Sequence, residues 1–308
     1  MELSTRYLGL TLPHLFVSGA SPLAADLDGV RELEDAGAAA IVLPSLFEED
    51  IVRYGETTDQ YLEHLVRTKR TVSCPVIASL NGTRAESWLR YAYMMAQAGA
   101  DALELNFYHV ATDPAEDSLA VERRVVDIVA VVKETVAIPL AVKLSPFYSS
   151  LPHLAAQLDR LGADGLVLFN RFYQPDIDPD AAAPTLRLTL SDPSELLLRL
   201  RWIAILAGRV EASLAITGGV HSGIDVVKAV MAGADAVQVV SALLRHGPRR
   251  LAQMRREFEQ WGEAHGYDAL ADMRGRVSLA RGSDPAVFER GNYVRLLQEQ
   301  KSGVPLGQ

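Results

Sequence analysis

Cysteine is nearly absent: Cys74 is the only one in 308 residues. A lone thiol forms no internal disulfide and supplies no cysteine set for an iron–sulfur or zinc centre. It points to a reducing compartment, with the cytoplasm as the expected location. Basic charge is not in excess either. Thirty Lys and Arg stand against 39 Asp and Glu, a net charge of −9. That balance makes nucleic acid and anionic membrane poor partners. No apolar run is long enough to span a bilayer, and MELSTRYLGL lacks the basic and apolar parts of a signal peptide. The chain also has neither a P-loop nor a G-x-G-x-x-G fingerprint. No Cys/His cluster has zinc-site spacing, so no metal is expected.

What is present is a repeat. A glycine–alanine turn leads into a strand-like run four times: AGAAAIVLP at Gly37, AGADALELN at Gly99, LGADGLVLFN at Gly162 and AGADAVQVV at Gly233. Between them lie HLFVSGA, PVIASLNG, PLAVKLSP and SLAITGG. Eight apolar runs, each followed by a helix-length segment, fit a closed (β/α)8 TIM barrel. The chain is expected to be one barrel domain over residues 1–308. Residues 172–191 form a lid or hairpin insertion, and residues 247–308 a helical extension packed on the barrel. Glu48 to Gln60 is a polar loop that could cover the mouth. In RAESWLRYAYMMAQA, Trp88, Tyr91 and Met95 share a helical face and are expected to pack against the barrel.

Barrel chemistry sits at the C-terminal ends of the strands. That rule selects Ser18-Gly19, Pro44-Ser45, Asn81, Asn106 to His109, Lys143, Asn170-Arg171, Gly218-Gly219 and Val240-Ser241. Gly218-Gly219 precedes Ser222 and Asp225, which have capping-box spacing. Amide hydrogens, a helix start and the Ser241 hydroxyl would converge there, as a phosphate requires. A tight turn without a ligand is the other reading of the same stretch. Lys143 interrupts an apolar run, where a cation needs an anionic partner. Asn81, Asn106 and Asn170 would suit a planar heterocycle, or could satisfy turn backbone. His109 is a candidate acid or base, or a loop-bonding residue. Cys74, at a strand start, is expected to be structural.

Taken together, VSGAS, ALELNF, LAVKLSPF and ITGGVHSGIDVVKAVMAGADAVQVVSAL resemble the dihydroorotate dehydrogenase family of FMN-dependent barrels. The resemblance implies a flavoprotein of pyrimidine biosynthesis that oxidises dihydroorotate, or a related cyclic amide, by hydride transfer to flavin N5. It implies FMN phosphate on Gly218, Gly219, Val240 and Ser241. Ser18, Gly19, Asn81, Asn106 and Lys143 would lie along the flavin, and Asn170 would close the substrate side. Lys143 and His109 would be catalytic, His109 standing at the family's base position. The sequence departs from the family pattern at Leu43-Pro44, where relatives carry a lysine, and in NFYHVATDPA, where a substrate asparagine is missing. The electron acceptor is expected to be a soluble molecule or a protein, and a homodimer is expected. Competing functions are a flavin barrel acting on another pyrimidine or C=C substrate, a sugar-phosphate barrel without flavin, and a flavin-carrying subunit.

Overall fold

The computed structural model describes residues 1–49, 58–82, 85–282 and 284–301. The hairpin of β1 (Thr5–Tyr7) and β2 (Leu10–Leu12) comes first. The barrel strands follow: β3 (Phe16–Ser18), β4 (Ile41–Phe47), β5 (Val76–Asn81), β6 (Ala102–Asn106), β7 (Leu140–Leu144) and β8 (Gly165–Leu168). A second hairpin, β9 (Asp176–Asp178) with β10 (Ala183–Thr185), interrupts the ring before β11 (Ser213–Thr217) and β12 (Ala236–Val239). All barrel pairs are parallel, and β12 closes on β3. This is the expected (β/α)8 barrel.

Each strand is buried on both faces, so two cores result. Alternate residues such as Phe16, Leu103, Leu105, Val142 and Leu166 pack outward under the helices. The intervening residues, among them Val17, Ile77, Ala102, Ala141, Val167 and Ala236, fill the barrel interior. Four glycines release the backbone into these strands with φ of 84°, 93°, 84° and 124° at Gly37, Gly99, Gly162 and Gly233. Trp88, Tyr91 and Met95 are buried in the outer core as expected, and Trp88 stacks on Phe107 at 4.9 Å between ring centres.

The first hairpin seals the N-terminal end. Its two-residue turn, Leu8-Gly9, has φ of 52° and 71°, a pairing suited to the twist of flanking strands. Leucine rarely adopts such a φ. Here Leu8 is driven into the barrel floor with Tyr7 and Leu12, all three fully buried. A Cβ on Gly165 would sit 2.4 Å from Leu8 Cδ2, so the small residue makes room for the plug. The small interior residues Ala102, Ala141, Ala215 and Ala236 meet the same plug.

The insertion between β8 and β11 contains a hairpin of Asp176–Asp178 with Ala183–Thr185. Past it, Leu186 and Leu188 lie outside any strand and are exposed. Residues 50–57, the centre of the expected polar loop, lie outside the described residues. In the C-terminal extension the helix Arg250–Ala264 packs on the helix Gly223–Ala232, where a Cβ on Gly223 would meet Glu257 Cβ at 2.4 Å.

Candidate active site

Along the barrel axis the interior changes from apolar to polar. Above the plug lie Ser79, Glu104, Lys143 and Gln238, all buried. Glu104 is wholly buried and accepts from Lys143 Nζ at 3.2 Å and from Gln238 Nε2 at 2.6 Å. The cation and the carboxylate thereby satisfy each other, as buried charges must. Asn81 and Asn106 stand one interior step higher. Asn106 lies in register with Lys143 across β6 and β7. Its Nδ2 donates to Ser45 Oγ at 3.1 Å, and Ser45 Oγ is 2.7 Å from Ser79 Oγ. Asn170 Nδ2 donates to the Phe107 carbonyl at 2.8 Å and to Asn106 Oδ1. The three strand-end asparagines therefore do share one mouth, and two of them orient each other.

That mouth holds a cavity of about 610 Å³. Asn81, Asn106, Lys143, Asn170, Gly218, Val240 and Ser241 all line it. Ser18, Gly19 and Gly219 are not among the lining residues. A Cβ on Gly19 would come within 2.7 Å of Val240 Cγ2. Phe169, Leu190 and Leu244 supply apolar wall. At the rim Phe172 stacks on Tyr108 at 4.2 Å and meets Phe147 edge-on at 5.1 Å.

Gly218 and Gly219 turn with φ of 85° and 79°. Ser222 and Asp225 form the expected capping box at the start of the helix Gly223–Ala232. The turn is pressed onto the chain beneath it: a Cβ on Gly219 would lie 2.4 Å from Leu196 N, and one on Gly218 would lie 2.8 Å from an Arg199 nitrogen. Only glycine fits either place. Ser191 was missed from sequence. Its hydroxyl accepts from Gly219 N–H at 3.2 Å, and its own N–H donates to Ser241 Oγ at 3.1 Å. The amide, the two hydroxyls and the His221 ring, whose Nε2 is 3.4 Å from Ser191 Oγ, form one cluster. Burial, reinforced by nearby Arg245, holds the His221 imidazole below its usual range. No signal at Ser191 linked it to residues so far along the chain.

Two expected features stand elsewhere. His109 is half exposed in the loop after β6. Its Nε2 lies 3.2 Å from Glu116 Oε2 and 3.0 Å from Arg124 Nη1, and the residue does not line the cavity. Its neighbour Tyr108 does line it. Glu116 in the loop and Arg124 on the helix Ser118–Thr135 engage the imidazole away from the cavity lining. Pro44, where the family pattern has lysine, lines the cavity within a register break of β4. Cys74 is remote from the mouth, and burial pushes its thiol up to about 12, consistent with an inert structural role. Among the described residues no cluster of metal-ligating side chains occurs, and no helix is long and apolar enough to cross a membrane.

A parallel barrel with its cations and glycine turn at the C-terminal mouth defines a small-molecule enzyme of the barrel class. The sequence model of the dihydroorotate dehydrogenase family matches residues 54–261, and the chain belongs to that family. It is an oxidoreductase acting on a CH–CH bond. Relatives include the catalytic subunits of dihydroorotate dehydrogenase B (NAD(+)) from Thermoplasma volcanium and Thermoplasma acidophilum. The first is 26% identical, with 91% of this chain and 99% of that protein covered. The second is 27% identical, with 89% and 98% covered. The same subunit from Geobacter sp. is 27% identical over 72% of this chain and 74% of its own length.

Proposed function

We propose that this chain binds FMN across the barrel mouth and oxidises dihydroorotate or a related cyclic amide. The observation that carries the reading is the pairing of a glycine–serine anion cradle with a buried lysine in one cavity. Gly218, Val240 and Ser241, which line the cavity, would hold the phosphate through amide hydrogens and a hydroxyl, with Gly219 joining once its N–H leaves Ser191 Oγ. The chain's own geometry fits such a guest. Gly218 and Ser241 both line the cavity, and glycine puts no side chain in front of its backbone there. The Ser18 hydroxyl is buried without a hydrogen-bond partner among the described residues. Ser18 and Gly19 would border the ring system, with Asn81, Asn106 and Asn170 as its amide partners. When bound, FMN supplies a two-electron acceptor.

Lys143 keeps its ammonium at the cavity because Glu104 holds Nζ from below. A fixed positive charge there stabilises negative charge that develops on a ligand above it. The apolar wall of Phe169, Leu190 and Leu244 limits water beside that charge, which strengthens the effect. Oxidation of the ring CH–CH bond also releases a proton, which needs an acceptor. His109 holds the family position for that acceptor, yet its ring is engaged by Glu116 and Arg124 and does not line the cavity. This observation favours a second reading, in which the substrate is another pyrimidine or C=C compound whose proton leaves by a different route. Electrons pass onward to a soluble molecule or a protein partner, the relatives being catalytic subunits by name. A homodimer is part of the same proposal.

The test is anaerobic. Protein reconstituted with FMN should show flavin absorbance that bleaches when dihydroorotate is added. Retained colour under excess dihydroorotate, with bleaching by a different ring substrate, selects the second reading. Protein that takes up no FMN rejects both.

A further inference from the structure

The cavity's charge is one-sided. Among the described residues that line it, Lys143 and Arg171 are charged and no carboxylate is present. Lys143 already has Glu104 beneath it. Arg171 is in a different position. Its Nε donates to Glu195 Oε1 at 3.2 Å. The other oxygen of that carboxylate lies 3.4 Å from Arg199 Nη2. Arg199 is buried and is further satisfied by the Thr217 carbonyl at 2.7 Å and the Glu195 carbonyl at 2.7 Å. One carboxylate thus serves two guanidinium groups. Arg171 Nη1 is buried and has no hydrogen-bond partner among the described residues. The side chain is otherwise held, with its guanidinium carbon 5.3 Å from the centre of the Tyr173 ring. Arg171 keeps 23% of its side chain exposed while lining the cavity, and a planar guanidinium fork suits an oxyanion.

We propose that Arg171 is the residue by which this cavity recognises an oxyanion of its ligand. A carboxylate on the ring substrate and the phosphate of the flavin nucleotide are the two sources of that chemistry. The inference rests on the proposed function, and within it the carboxylate is the better fit. The phosphate has its own cradle at Gly218, Gly219 and Ser241, whereas Arg171 adjoins Asn170, the residue expected to close the substrate side. A substrate that is both cyclic and carboxylated would then be selected over the same ring without its carboxylate.

The test compares wild type with Arg171→Met and Arg171→Lys. On FMN-loaded protein, dissociation constants for orotate and for uracil, which lacks the carboxylate, are read from the shift in flavin absorbance. Arg171→Met should weaken orotate roughly 10- to 100-fold, the effect of one charge-assisted hydrogen bond, and leave uracil within about twofold. Arg171→Lys should recover part of the loss. On apoprotein, FMN and riboflavin affinities are read from fluorescence quenching. A selective loss of FMN, with orotate unchanged, assigns the oxyanion to the phosphate instead. Equal losses for orotate and uracil, or no loss for any ligand, overturn the proposal. Failure of the proposed activity looks different: wild type then leaves dihydroorotate unoxidised. In that case thermal shifts by benzoate and nicotinate against their amides still report on Arg171, and the absence of an Arg171-dependent carboxylate preference rejects its role.

Discussion

The two ends of this barrel solve opposite problems with the same alternating strands. At the N-terminal end the interior residues are apolar and many are alanine, and Tyr7, Leu8 and Leu12 plug the remaining space. At the C-terminal end the interior residues are polar, and a cavity of about 610 Å³ is left open. The Glu104 carboxylate, held by Lys143 and Gln238, sits between the two. Burial, aided by the charge of Glu104, pushes the phenol of the fully buried Tyr7 far above its usual range. The difference teaches that stability and chemistry are separable along one axis, except at Lys143 and Glu104, where they meet.

The sharpest break of this contrast is at Lys143. Lys143→Met should lower turnover by about 10²- to 10³-fold, as expected for a lost electrostatic stabiliser. It also leaves Glu104 buried without its cation, which should cost about 3 kcal/mol or more in denaturant unfolding. Adding Glu104→Gln should restore much of that stability and none of the turnover. Recovery of both together would show that Lys143 is only structural.

Next comes the cradle. Gly219→Val forces a side chain against Leu196 N and should weaken FMN binding by about 100-fold, the equivalent of two charge-assisted hydrogen bonds. Flavin titration checks it. The mirror experiment is Leu8→Ala in the plug, which should cost about 2–5 kcal/mol of stability by opening a cavity. Its flavin affinity should stay within a factor of two of wild type. A large loss of affinity would mean that the two ends are not separable.

A smaller effect is expected with pH. His14 lies at the sealed end, and burial, reinforced by Arg255, pulls its imidazole down to about 4. A histidine whose folded value is depressed favours the native state at pH above its unfolded value, near 6.5. That contribution is lost as pH falls through about 4. The loss should be at most about 3 kcal/mol, measured as unfolding free energy against pH. His14→Phe should flatten the profile over this window. The smallest effect belongs to His109. With its ring engaged by Glu116 and Arg124, His109→Ala should change turnover by less than about threefold, whereas loss of a general base costs about 10²- to 10⁴-fold.

The frame of this molecule was readable from sequence because a barrel strand buried on both faces is written as a short apolar run. Gly37, Gly99, Gly162 and Gly233 mark the entry to every second one. The strand-end rule then located Asn81, Asn106, Lys143, Asn170 and Ser241 without any coordinates. What escaped depended on contacts between distant segments. Ser191 matters only because its loop folds against Gly219 and Ser241. The Glu104–Gln238 bond crosses the barrel, although a glutamate inside ALELN, one interior step below Asn106, was a usable signal. The Leu8-Gly9 turn is too short a cue without the barrel it fills. The contacts of His109 were equally out of reach: Glu116 and Arg124 engage its ring, and it does not line the cavity.

The most direct test of the central claim is the affinity of the flavin-free apoprotein for FMN compared with riboflavin. The glycine–serine cradle predicts that FMN binds at least about 100-fold more tightly, because only FMN offers a phosphate to those amides and hydroxyls. Equal affinities, or no binding of either flavin, would contradict it.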